Sequence, residues 1–358
     1  MTTSMDHAKK FAAVAASAFG LADARLTCLG MSENATFLAE DGTERIVLRV
    51  HRPGYHSRVA IESELDWMTA LRRDTGIATA QVVPALSGER VIDVRPGGSE
   101  VSRFVSAFGF IEGATAEERP DAIGYRDLGE ITATMHDHVR SWTVPQHFSR
   151  FRWDLSTTLG AAGRWGRWQD APGMTPEYAA AIAPAVRLVA SRLRDYGTTP
   201  DRFGLVHADL RHSNLMLDDA GEITVIDFDD SGWTWLLADL AAVVSWIEGS
   251  DEAEEMIAEW MRGYRSVRVL DHVHRAMVPT FVMLRRLMLT AWIGTHPEAD
   301  IARVVTDGFA CGTADVAQRY VSDSHWLADA CDVSTRVIAS TDTGMSIAVG
   351  EAAMAASG

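Results

Sequence analysis

Two kinds of apolar spacing divide the chain. Arg45–His51 (R-I-V-L-R-V-H) alternates well enough for a strand, and Arg52-Pro53-Gly54-Tyr55 breaks it. Val59–Arg73 changes to helical spacing, with Ile61, Leu65, Met68 and Leu71 on one face. Val101–Phe108 predicts a further apolar strand, Gly109–Gly113 a hinge, and Pro120–Val139 a helix that carries Leu128, Ile131, Met135 and His136. Farther on, Leu215-Met216-Leu217 and the β-branched run Ile223–Ile226 flank the turn residues Asp218-Asp219-Ala220-Gly221, which predicts a hairpin. Trp233–Ile247, Glu252–Tyr264, His272–Thr295 and Asp300–Tyr320 read as helices. Strands are thus concentrated early and helices late.

The 358 residues allow one large bilobal unit or two domains, and 47% hydrophobic residues permit a sizeable core. Phe11–Ala16 is the longest apolar run near the start. It is mostly alanine and follows Lys9-Lys10, so it reads as a short surface helix rather than a signal peptide. No apolar run is expected to span a bilayer, and Leu236–Trp246, interrupted by Asp239, reads as a core helix. Cys28, Cys311 and Cys331 fit no zinc or disulfide spacing, which points to reduced thiols in the cytoplasm. The net charge of −16 comes without a basic stripe, so neither nucleic acid nor a membrane is an expected partner. An acidic chain favours a cationic small molecule. The sequence leaves the oligomeric state open.

The candidate chemistry lies around the hairpin. Val206–Asn214 reads V-H-A-D-L-R-H-S-N, and Val225–Asp230 reads V-I-D-F-D-D. Phosphoryl transfer from a nucleotide needs one carboxylate to orient the attacking hydroxyl, and an amide oxygen with a second carboxylate to hold magnesium on the phosphates. Asp209, Asn214 and Asp227 stand in that order, and the hairpin joins the last two in space. Arg211 is placed to offset charge on the transferring phosphoryl group, and His207 to brace the loop. A lone H-x-D is an ordinary turn; the joint pattern carries the inference.

H-A-D-L-R-H-S-N and I-D-F-D-D resemble the catalytic loop and the metal-binding aspartate motif of the aminoglycoside phosphotransferase/choline kinase family. The resemblance covers about residues 25 to 320. It implies an α+β, bilobal protein-kinase-like fold: a small N-terminal antiparallel sheet plus helix, and a larger, mainly helical C-terminal lobe. The expected divisions are an N-terminal helix over 1–24, an N-lobe over 25–108, a C-lobe over 109–339 and a flexible tail over 340–358. It implies ATP, or GTP, with Mg2+ as the donor, and a small-molecule hydroxyl as the acceptor. It implies a buttressing role for Asp239. Arg49 stands where the family has a phosphate-binding lysine, with Glu64 as its partner and Glu62 as the alternative. Arginine keeps the charge there but not the geometry. Ser32, Asn34 and Thr36, in L-G-M-S-E-N-A-T-F, take the place of the glycine-rich phosphate loop. Arg285-Arg286 and Trp292 also fit the larger lobe, and Asp230, Trp233, Trp246 and Glu248 are the candidates to face the acceptor. Trp153, Trp165 and Trp168 either line the acceptor pocket or anchor an irregular insertion.

The expected activity is phosphorylation of an amino sugar, an amino alcohol or a homoserine-like acceptor. Two alternatives remain at this point. His51-Arg52-Pro53 also resembles the bacterial stress-response protein Ser/Thr kinases, although Asp229 replaces the glycine of D-F-G and no A-P-E follows. Arg49 and the glycine-poor loop also suit a nucleotide-binding pseudokinase.

Overall fold

The computed structural model describes residues 2–31, 34–97, 100–297 and 299–331. Ser32 and the expected tail over 340–358 lie outside the described residues.

The first third builds an antiparallel sheet from three consecutive strands, β1 (Arg25–Met31), β2 (Ala35–Asp41) and β3 (Glu44–Val50). Arg103–Gly109 pairs with β3 and in turn carries Val82–Val83 and Val91–Val94. Side chains of a strand alternate between faces. Ile46, Leu48 and Val50 of β3 therefore point to one face, with Phe37, Val105 and Ala107. That face is covered by α1 (Thr2–Ala18), whose Phe11, Ala12 and Ala15 are fully buried. The expected surface helix is thus a packed one; burial of a residue such as Phe11 contributes roughly 1.5–3 kcal/mol. Val47 and Arg49 point to the opposite face, toward α2 (Arg58–Asp74) and its buried Ile61, Glu64, Leu65 and Met68. One residue of phase therefore decides that Arg49 enters the cleft and not the core under α1.

Residues 110–113 lead into the larger part. There Ala114–Thr115 pairs with Leu215–Leu217. Gly113 holds φ +132°, and a Cβ there would meet the Leu217 carbonyl oxygen at 1.8 Å, so the close approach requires glycine. The hairpin forms as expected, with Leu215 opposite Val225 and Leu217 opposite Ile223. The rest is largely helical. α3 (Tyr125–Ser141) packs on Asp251–Val267, and Val278–Thr295 packs against Asp300–Ser322 and Pro176–Tyr196.

Two further expectations change, and one helix was not expected. Trp233–Ile247 is not one helix. Gly232–Trp235 is a strand paired with Phe203–Val206, as its aromatic and β-branched residues favour, and only Ala238–Val243 is helical. His272–Thr295 breaks between His272–Arg275 and Val278–Thr295. By length and hydropathy this run passes as a membrane span, but 83% of the qualifying window is buried inside the protein. The 21-residue helix Pro176–Tyr196 had no counterpart in the sequence reading, although Thr175 caps it, Pro176 opens it and Gly197 closes it.

Candidate active site

Val206 ends the strand Phe203–Val206, and the chain then turns through Ala208 at φ 69°. Asp227, after the second hairpin strand, holds φ 59°. Left-handed backbone costs a non-glycine residue roughly 1–2 kcal/mol, so both positions need fixing from outside. Asp239 supplies this for the first. Its carboxylate accepts the N–H of Ala208 at 2.7 Å and of His207 at 3.3 Å, and lies 3.0 Å from Nε2 of His136. The other nitrogen of His136, a residue expected only to pack, reaches the Tyr264 hydroxyl at 2.9 Å.

The His207 ring is buried, and burial pushes its pKa below the ordinary value. In the neutral ring Nε2–H donates to the Ile226 carbonyl at 2.9 Å, which leaves Nδ1 to accept from the Asp209 N–H at 3.4 Å. His207 thus ties the Asp209 loop to the residue preceding Asp227.

Asp209 faces the cleft. Its Oδ1 accepts from Arg285 Nη2 at 2.5 Å and lies 3.4 Å from Arg211 Nε; its Oδ2 accepts from Asn214 Nδ2 at 3.2 Å. Burial pushes this carboxyl up, but Arg211 and Arg285 outweigh it and hold the group below the usual carboxylate range. Replacing Arg285 by Met should therefore raise the Asp209 pKa. A depressed carboxyl keeps its charge as pH falls, so the acid limb of kcat/KM should move to higher pH in the variant. Rate profiles carried from about pH 8 down through the carboxylate range to about pH 3 check this, and superimposable limbs would refute it.

Asn214 and Asp227 end the two hairpin strands, and Ile226 N–H donates to the Asn214 carbonyl at 3.0 Å, which closes the pair. The Asn214 amide nitrogen also donates to the Asp209 carbonyl at 2.8 Å, which leaves its oxygen as the end turned away from Asp209. Asp227 opens onto the cleft, yet desolvation by the surrounding walls, and then the Asp229 charge, push its carboxyl up to about 7. A cation would relieve this crowding of negative charge. Among the described residues no group of three or more His, Cys, Asp or Glu side chains is arranged to hold a metal alone. One amide oxygen and one carboxylate suit a magnesium ion whose other ligands are phosphate oxygens and water.

Arg49 Nη2 donates to Glu64 Oε1 at 2.5 Å, with both side chains nearly or fully buried. Glu62, the alternative partner, pairs instead with Arg58 at 3.0 Å. Thr36 stands opposite Arg49 on β2. The Asn34 side-chain oxygen accepts the Arg52 N–H at 3.0 Å, so that atom braces the end of β3.

Ala208 and Arg285 also line a narrow cavity, together with Trp153, Trp165, Asp230, Thr234, Phe281 and Met288. Of the acceptor candidates, Asp230 is on this wall, and its Oδ1 accepts from the Tyr55 hydroxyl at 2.7 Å. The others lie elsewhere. Trp233 is on the opposite side of its strand from Thr234 and packs on Phe148. Trp246 packs between Trp292 and Phe309. Glu248 is fully buried and paired with Arg286 at 2.9 Å, which makes it a structural ion pair. Trp153 and Trp165 line the pocket, whereas Trp168 belongs to the main core.

Residues 28–276 match the APH phosphotransferase enzyme family. An amicoumacin kinase of Bacillus subtilis (strain 168) is 26% identical over 294 residues, 79% of this chain and 84% of that protein. A microcompartment-associated aminopropanol kinase superposes with a TM-score of 0.81 at 41% identity, over 87% of this chain and 97% of its own. An amicoumacin kinase solved with AMP-PNP, Ca2+ and Ami superposes at 0.64 with 22% identity, over 80% of this chain and 88% of its own. The bilobal, protein-kinase-like α+β architecture is common to all of these structures. The family match runs from β1 through the hairpin into the helices beyond it, so it joins the N-terminal sheet and the Asp209 loop in one unit: this chain belongs to the phosphotransferase enzyme family, as a kinase whose acceptor is an alcohol group.

Proposed function

We propose that this chain is a cytoplasmic kinase that moves the γ-phosphate of magnesium-bound ATP to the hydroxyl of a short amino alcohol. The observation that carries the reading is the narrow cavity lying between two acidic positions. At one end Ala208 and Arg285 lead to Asp209; on its wall stands Asp230, amid the indoles of Trp153 and Trp165. A hydroxyl oriented by Asp209 and an ammonium beside Asp230 describe a small molecule with its two polar groups a few bonds apart. Aromatic faces beside a carboxylate suit a desolvated ammonium. The similarity to the aminopropanol kinase supports the same class.

In this reading Asn214 and Asp227 hold the metal, which offsets phosphate charge when bound, and Arg49 reaches the phosphates. Asp209 orients the hydroxyl and receives its proton. Arg211, beside Asp209, offsets charge as the phosphoryl group leaves.

Nucleotide consumption with aminopropanols, ethanolamine, choline and an aminoglycoside tests the assignment, with the matching diols as controls. Turnover of a diol as fast as its amino counterpart would sink the amine requirement, and phosphate appearing chiefly on a generic protein would favour the protein-kinase alternative. Asp230→Asn should raise the acceptor KM by about 10–100-fold and leave the nucleotide KM within about twofold, because a neutral amide forfeits the charge-assisted contact.

A further inference from the structure

Arg150 has no place in the sequence motifs, and each of its guanidinium nitrogens donates a hydrogen bond. It precedes the short strand Phe151–Arg152, which runs parallel to Gly232–Trp235 and pairs with it through Gly232 and Trp233. Gly232 is required there, since a Cβ would meet the Phe151 carbonyl oxygen at 2.8 Å. The Arg150 side chain has no solvent exposure. Nε donates to the Ser231 carbonyl at 2.8 Å. Nη2 donates to the carbonyls of Phe228, at 3.1 Å, and Asp229. Nη1 donates to the Ala60 carbonyl at 3.0 Å and lies 3.6 Å from Glu64 Oε2. A guanidinium has five N–H donors; four hydrogen bonds form here, and Nη1 also faces Glu64 as an ion pair.

These acceptors are of two kinds. Three are the carbonyls of the buried turn just after Asp227, groups that have no strand or helix to receive them. The others belong to α2, and Glu64 there also binds Arg49. Asp227 sits between two clamps: His207 holds the carbonyl before it and Arg150 the carbonyl after it. A residue at φ 59° keeps that conformation only when its neighbours impose it. Arg150 also joins the turn to the Arg49–Glu64 pair, so that the phosphate-facing arginine and the metal-facing aspartate are set relative to each other.

We propose that Arg150 is a positioning residue for metal–nucleotide binding: by tying the carbonyls of Phe228, Asp229 and Ser231 to Ala60 and Glu64, it fixes Asp227 against Arg49. This rests on the assignment of Asp227 to the metal and Arg49 to the phosphates. Its effect falls chiefly on the donor side of the reaction, since Arg150 does not line the acceptor cavity and Asp230 is held separately, through its carbonyl by Trp153 Nε1 and through its carboxylate by the Tyr55 hydroxyl.

The test compares the full-length wild type with Arg150→Lys and Arg150→Gln. Calorimetric binding of AMP-PNP with Mg2+ is measured beside the steady-state constants for nucleotide and acceptor. Both variants should weaken metal–nucleotide binding by about 10–100-fold, the range for loss of a partner that orients a ligating group. The acceptor KM should stay within about threefold. Arg150→Lys should be the milder, because an ammonium still faces Glu64 but cannot span the carbonyls, and it carries the test if Arg150→Gln does not fold. Variants that melt earlier yet bind the metal–nucleotide as the wild type does would reduce Arg150 to a structural role and overturn the proposal. A wild type that binds AMP-PNP equally with and without Mg2+ would overturn the metal assignment itself, and the proposal with it.

Discussion

Asp209→Asn is expected to lower kcat by about 10^2–10^4-fold, the range for loss of a positioned general base. Asparagine keeps the size of the side chain and one oxygen, enough to accept from Arg285 though not also from Asn214, and the loop is still held by Asp239 and His207. What it lacks is the charge. In the wild type Arg211 and Arg285 hold Asp209 ionised across the neutral range, and Arg285, which binds its Oδ1, lines the cavity proposed to take the hydroxyl. An amide neither accepts the proton nor aligns the oxygen lone pair toward phosphorus. The interaction lost belongs to the transition state, so the KM values for nucleotide and acceptor should move by no more than about threefold. Steady-state kinetics on the two proteins decide the matter. Turnover by the variant at the wild-type rate would remove Asp209 from the chemistry.

The hairpin was legible because its chemistry and its fold share the same few residues. Asp209, Asn214 and Asp227 lie within 19 residues, and the strands between them carry an alternation that a turn must close. The choice between Glu62 and Glu64 was legible in principle from helical phase. Glu64 lies on the face of Ile61, Leu65 and Met68, while Glu62 turns toward Arg58, one turn away. Arg285 gave a signal that was read only as part of a family pattern: a charged pair within an apolar helix must find partners, and these are Asp209 for one arginine and Glu248 for the other. Glu248 was misplaced for the complementary reason. Its neutralising Arg286 is 38 residues away, and no local pattern announces a pairing at that distance. Arg150 was invisible altogether, because a guanidinium that recognises backbone carbonyls leaves no side-chain spacing to detect. The strand at Gly232–Trp235 was hidden by an apolar run that suits helix and strand equally, and its partner Phe203–Val206 decided the outcome.

Loss of the Asp227 carboxylate should be as damaging as loss of the Asp209 charge. Asp227→Asn is expected to reduce kcat/KM for the metal–nucleotide by on the order of 10^3-fold, since a divalent ion supplies most of the charge offset in phosphoryl transfer. The structure adds a pH signature. Without a cation, the Asp227 carboxyl is pushed from its ordinary 3.8 up to about 7 by desolvation and by Asp229. Protons therefore compete with the metal, and the metal activation constant should rise about tenfold per unit as pH drops below 7. The sign for stability follows. A carboxyl whose pKa is raised on folding opposes folding once ionised, fully so above about 7, and this opposition is relieved as pH falls toward the unfolded value. Bound metal removes the same opposition, so Mg2+ with AMP-PNP should raise Tm more at pH 8 than at pH 5.5, and Asp227→Asn should abolish the difference. Melting curves at the two pH values, with and without the metal, supply the check. An equal gain at both in the wild type would mean that Asp227 does not meet the ion.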